Sequence, residues 1–246
     1  MTTAHPPATA PAQAPAPAQA PAAAAAAPSV ASEVGAAVSE PAPVVAPEHV
    51  RLAAGPRGTT VDERVVDPLG LLRTTVLDPV ADLDTIHAWV TQPGTEFWGL
   101  GHLTREELGE LYAYVDSLGT HHAFVVRLGD EPLALLQTYD PHHDPVGERY
   151  PVQPGDVGLH LLIGSRGSAP APGFTGHLMR YLAAFLLGQP GARRLVVEPD
   201  VRNERALARM VRSGFALGPE IDLPGKRARL AFLTTEAAAA LATPTR

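Results

Sequence analysis

DVGLHLLIGSRGSAPAPGFTGHLMRYLAAFLL, residues 156–187, is the stretch on which the fold turns. It opens as a short apolar run, Val157 to Ile163, broken only by Gly158 and His160. A run of that length is what a buried strand requires. Glycine and proline then dominate from Gly164 to Gly173. Beyond them Phe174, Leu178, Tyr181, Leu182 and Phe185 recur at helical spacing, one apolar stripe on a helix of about four turns. Strand, glycine-rich loop and helix together make a phosphate site, because the loop admits the backbone and the helix N-terminus offers unpaired N–H groups. Neither a Walker pattern nor a dinucleotide fingerprint is present, which argues against both of those sites and leaves a cofactor carrying a pyrophosphate open.

Around this stretch the composition sets bounds. The chain has 246 residues, room for one good-sized domain. Residues 1–50 hold 10 of the 26 prolines, long alanine runs and no lysine or arginine, and they predict a disordered tail. They lack the basic start and leucine-like core of a signal peptide, and no later segment matches a bilayer span. A cytoplasmic protein with no membrane partner is expected. Of 26 acidic residues three, Glu33, Glu40 and Glu48, lie in the tail; the 23 that remain face 19 basic ones, a net charge of −4. That balance argues against nucleic acid as a partner. The absence of cysteine excludes a catalytic thiol, a disulfide framework and a thiolate metal site.

In chain order, 51–70 reads as a mixed linker with possible short strands, and the domain as 71–235. Leu71–Leu77 is the first expected strand, and Asp82 or Asp84 caps a helix through Val90. Phe97 and Trp98 sit on a loop. Thr104 and Glu107 form a capping box for a helix to about Ser117. Ala123–Leu128 and Leu133–Tyr139 make a hairpin. After the central strand and helix come a strand at Arg194–Val197, a helix at Asn203–Arg212 with Leu207, Met210 and Val211 inward and Gly214 ending it, and strands at Ala216–Leu223 and Arg227–Leu233. Residues 236–246 form a C-terminal tail with a frayed alanine helix. The fold class is α/β, a mixed central sheet flanked by helices. Asp140 to Asp144, DPHHD, suggests metal ligands, but adjacent histidines diverge on an extended chain and nothing completes the set, so no metal is expected. His121-His122 reads as a strand entrance.

That order, with a phosphate-type loop after the fourth expected strand, resembles the GNAT acyltransferase fold. Asn203, Ala206, Met210, Gly214 and Phe215 fall where GNAT proteins often carry Asn, Ala, Tyr, Gly and Phe. Two features depart from the common form. PGFTG at 172–176 replaces the usual R/Q-x-x-G-x-G/A, and Met210 replaces the tyrosine that commonly protonates the departing thiolate. FW at 97–98, YDP at 139–141, PGDVGLH at 154–160, GFT at 173–175, RRLVVEPDVRN at 193–203 and LPGKRARL at 223–230 together resemble siderophore-biosynthesis acyltransferases of the aerobactin, alcaligin, desferrioxamine and mycobactin types.

The resemblance implies an acyl-CoA co-substrate, acetyl-CoA or succinyl-CoA, and a small amine or N-hydroxyamine acceptor such as a lysine, ornithine or diamine derivative. An acyl carrier protein is a further partner compatible with such pathways. It implies Asp200 as general base and His160 in acceptor binding or proton handling, against the simpler readings of Asp200 as a helix N-cap and His160 as a satisfied core histidine. Leu161, Leu162 and Ile163 would border the thioester, with a backbone N–H near Leu161 or Leu162 meeting the oxyanion. Gly173, Phe174, Thr175 and Gly176 would hold the pyrophosphate, and Asn203 would lie on the cofactor side. Arg166 and Arg180 are candidates for CoA phosphates or plain surface charges. Phe97, Trp98 and Asp144 are candidate acceptor contacts, with Glu148 an alternative to Asp144. Lys226, the only lysine, is expected in a structural or CoA-side role. The alternatives are transfer of a longer acyl chain to a lysine side chain, acetylation of an amine or antibiotic, and a non-catalytic acyl-CoA-binding module.

Overall fold

In the computed structural model, which describes residues 50–165 and 171–242, one eight-stranded sheet carries the molecule. Its strands are β1 (Thr60–Val66), β2 (Gly70–Val76), β3 (His121–Leu128), β4 (Glu131–Tyr139), β5 (Asp156–Ile163), β6 (Arg194–Val197), β7 (Ala216–Leu223) and β8 (Lys226–Thr234). The spatial order is β1-β2-β3-β4-β5-β6-β8-β7. Every neighbouring pair is antiparallel except β5 with β6, which are parallel and joined through the helix at 174–187. The helices are α1 (Leu83–Val90), α2 (Arg105–Ser117), α3 (Phe174–Leu187), α4 (Glu204–Arg212) and α5 (Thr235–Ala242).

Alternation along the strands sorts side chains to two faces. Phe124, Leu136, Val157 and Leu159 meet the stripe of α3, where Phe174, Leu178, Tyr181, Leu182 and Phe185 are all buried. Val125, Leu135 and Leu162 point the other way, against Ile86 and Trp89 of α1 and Leu108 and Tyr112 of α2. The capping box at Thr104 forms as its residues require: the Thr104 hydroxyl accepts from Glu107 N–H while Glu107 accepts from Thr104 N–H.

Three expectations need correction. The stretch 51–70 is more than a linker: Thr60–Val66 pairs with β2 and becomes the sheet's first strand, and Val50, Leu52 and Ala53 pack against the core. Its exposed, charged pattern hid it, since an edge strand buries little of either face. On α4 only Met210 is buried, while Val211 is 53% exposed, because the helix touches the sheet along a narrow edge. Asp82 precedes α1 without capping it; its carboxylate instead accepts from Arg127 and from Asp78 N–H. Of the tail expected at 1–50, all but Val50 lies outside the described residues, as does the chain end at 243–246.

Candidate active site

The sheet forks where β5 and β6 part. They pair only from Asp156–Gly158 against Arg194–Val196. The base of the fork is clamped by an ion pair on the buried Asp156: Arg194 donates to both its oxygens at 2.7 and 2.8 Å, and the Tyr150 hydroxyl adds a bond at 3.0 Å. Beyond it, Glu198 and Pro199 take the chain away to follow β8, where Arg229 N–H donates to Pro199 O. Leu159–Ile163 therefore has β4 on one side and the fork on the other. Gly164 N–H donates to Leu133 O, so the alternating ladder aims the backbone groups of His160 and Leu162 at β4 and those of Leu161 and Ile163 into the fork. Of the two expected oxyanion donors, Leu161 has its N–H available on that side. Leu162 does not.

A cavity of about 320 Å³ occupies the fork. Leu161, Leu162 and Ile163 border it from β5, Phe97 and Trp98 from their loop, and Asn203, Arg205 and Met210 from the α4 region. His160, Asp200 and Lys226 also reach it, and so does Glu198, which the sequence reading did not single out.

Glu198 is the centre of the polar wall. Only 2% exposed, it accepts from His160 Nε2 at 2.6 Å and Lys226 Nζ at 3.1 Å through Oε1, and from the Tyr139 hydroxyl at 3.0 Å through Oε2. Burial alone would raise its carboxyl; the charges of His160 and Lys226, and their hydrogen bonds, outweigh burial and hold it well below the usual carboxylate range. Burial, then the Glu198 charge, push the Tyr139 phenol well above its own range, so it remains a donor. Tyr139 reaches Glu198 because its ring lies over Gly158, where any Cβ would stand 2.1 Å from the ring. Lys226 is delivered by the tight turn of the β7–β8 hairpin, with Gly225 at φ +77°.

Asp200 faces the same cavity under different constraints. Arg202 Nε and Nη2 donate to its two oxygens at 2.9 and 2.6 Å, and Arg202 N–H adds 2.8 Å. The Arg202 side-chain bond, outweighing burial, lowers the Asp200 carboxyl. Asp200 is not the cap of α4: Asn203 is, accepting from Ala206 N–H at 3.0 Å. The Arg202 guanidinium also lies 5.9 Å from the Phe97 ring centre, linking two sides of the cavity mouth.

Other expected residues fall away from the cavity. Asp144 is buried, caps the 3-10 turn at Pro145–Arg149 and faces His121 at 3.5 Å, and it does not line this cavity. Its position is decided by the two consecutive turns of the 140–150 loop, which sequence left open. Gly173–Gly176 form the first turn of α3, with Gly173 at φ +71°, although the Phe174 side chain is spent in the core. Arg180 lies exposed beside His177, and Arg166 lies outside the described residues. No group of three or more His, Asp or Glu among the described residues could hold a metal, and no helix among them is long and apolar enough to cross a membrane.

The pairing His160–Glu198 was hidden by register. With Gly158 opposite Val196 in parallel strands, continuing the count brings 160 to 198 rather than to 200. Nothing in local sequence gives that offset.

Comparison with known proteins bears on this arrangement. Residues 78–223 match the family model described as an acetyltransferase (GNAT) domain. An N(6)-hydroxylysine O-acetyltransferase of Escherichia coli is 32% identical over 170 residues, 65% of this chain and 51% of that protein. The lysine N-acyltransferase MbtK of a Mycobacterium species (strain MCS) is 26% identical over 159 residues, covering 62% and 63%. The chain thus spans between half and two thirds of these relatives' lengths. Among solved structures, the aminoglycoside acetyltransferase AAC(6')-Ib with acetyl-CoA superposes with a TM-score of 0.61 at 19% identity, over 71% of this chain and 99% of that one. Fold and family match together define a GNAT acetyltransferase domain. The chain belongs to the acetyltransferase (GNAT) family.

Proposed function

We propose that the protein transfers a short acyl group from acyl-CoA to the nitrogen of a small amine or N-hydroxyamine, a lysine, ornithine or diamine derivative, in making a hydroxamate siderophore. The observation that carries this reading is the network of His160 and Lys226 on the buried Glu198, facing the fork between β5 and β6. The free N–H of Leu161 suits an oxyanion, and the α3 N-terminus at Gly173–Gly176 suits a pyrophosphate. The names of the curated relatives, one acting on N(6)-hydroxylysine and one on lysine, support the acceptor class.

The reaction needs a neutral nucleophile, a stabilised oxyanion and a place for one proton. Two groups compete for the proton. Asp200 is the base that family resemblance suggests, but Arg202 occupies both its oxygens. His160 has its Nδ1 without a hydrogen-bond partner among the described residues, and we assign the proton to it. Asp200 then orders the mouth of the cavity. The test is mass spectrometry of the full chain with acetyl-, succinyl- and palmitoyl-CoA against lysine, N6-hydroxylysine, ornithine, cadaverine, N-hydroxycadaverine, spermidine and kanamycin. Acylated lysine-like or N-hydroxyamine products are expected; exclusive acylation of spermidine or kanamycin would replace this reading.

A further inference from the structure

We propose that Glu198 is a positioning residue: its carboxylate, bridged by Lys226 and Tyr139, takes the Nε2–H of His160 and thereby presents Nδ1 to the attacking nitrogen. This rests on the reading of His160 as proton acceptor and adds to it the groups that fix which ring nitrogen acts. An ionised carboxylate can only accept, so a neutral His160 bonded to it must carry its proton on Nε2 and its lone pair on Nδ1. The Glu198 oxygens are filled by three donors from three different strands, β4, β5 and β8, which leaves the imidazole little freedom to turn.

Among the five buried polar atoms without hydrogen-bond partners in the described residues are Nδ1 of His160 and Oε1 of Gln137, its cross-strand neighbour on β4. A buried acceptor without a donor is a deficit that a native site sustains where a ligand or water makes it good. An acceptor amine has N–H groups to give. In the step itself the nitrogen–carbonyl bond forms and the carbon–sulfur bond breaks. CoA leaves as the thiolate, and the proton lost by nitrogen passes to Nδ1. The imidazolium is then paired with Glu198, which keeps its own charge because Lys226 stands 3.1 Å away.

The experiment is histidine 15N NMR of the full chain together with steady-state kinetics. In the wild-type spectrum the neutral form of His160 should be the Nε2–H tautomer, and Glu198→Ala should give a mixture of tautomers. Glu198→Ala should lower kcat by ~10²-fold or more, and the isosteric Glu198→Gln by about 10-fold or more, with KM for acyl-CoA within about two-fold. A purely structural role would shift the melting midpoint and leave the tautomer and the kcat of folded enzyme alone. A wild-type Nδ1–H form, or wild-type kcat in a folded Glu198→Gln enzyme, overturns the proposal; the first needs no variant to fold. His160→Ala separates the two levels. If it keeps full turnover, the proton-acceptor reading fails with everything resting on it. If it is inactive while Glu198→Gln is not, only the positioning role fails.

Discussion

At the scale of single residues, His160 and Asp200 differ in what already occupies them. Asp200 has its oxygens bound by Arg202, whereas the His160 Nδ1 awaits a donor. His160→Ala should therefore lower turnover by ~10²–10⁴-fold with a primary amine, the range of a positioned base, and Asp200→Asn by much less. A primary alkylamine, with a pKa of about 10.4, must lose a proton before attack, so its losses should exceed those for the matching N-hydroxyamine. Kinetics of both variants with both acceptors checks this; the opposite ranking returns the base to Asp200. Glu198 makes a second prediction, about stability. Its folded carboxyl is depressed, so its ionic contribution is fully present above the unfolded value of about 4.3 and is lost as pH falls through the folded value. Glu198→Gln should destabilise by about 3 kcal/mol at neutral pH, since Lys226 loses its buried partner. The gap should hold down to about pH 4 and narrow below it. Denaturant melts of both proteins across that range measure the gap, and one that widened on acidification would contradict the assignment.

Among the elements, α3 has the best defined test. Its first turn starts at Gly173 in a left-handed conformation, and the apolar stripe behind it locks the helix against the sheet. If its N-terminal N–H groups hold the pyrophosphate, Gly176→Asp sets a carboxylate against that charge. A Cβ there would meet only the end of the Arg180 side chain at 3.7 Å, so the variant should fold. CoA binding should weaken by on the order of 1–3 kcal/mol. Calorimetry of wild type and variant reads this directly, and equal affinities would move the phosphate site elsewhere.

For the whole molecule, the question is where the domain begins. A chain starting at Gly70 lacks β1 and the contacts of Val50, Leu52 and Ala53, and leaves β2 as an open edge. A chain starting at Val50 keeps them all. The shorter one should unfold earlier by ~2–3 kcal/mol, roughly 5–10 °C at this size. Thermal melts of the two side by side decide it; equal midpoints would return 51–70 to the status of a linker.

Read from the sequence alone, β2 to β8 and α1 to α4 were legible because each carries its own signal: a period of two or of 3.6, a capping box at Thr104, a glycine at 173 or 214. The membership of Phe97, Trp98, His160, Asp200 and Asn203 in one cavity was legible through spaced motifs. Two things were not. The edge strand β1 buries too little apolar surface to leave a pattern. The partnership of His160 with Glu198 depends on the offset between β5 and β6, 38 residues apart, and on Tyr139 crossing the gap left by Gly158. Local sequence determines which way a side chain alternates along its own strand. Which residue it meets on the next strand is set by the loop and helix between them and by how both pack on the sheet, and that only the tertiary structure decides.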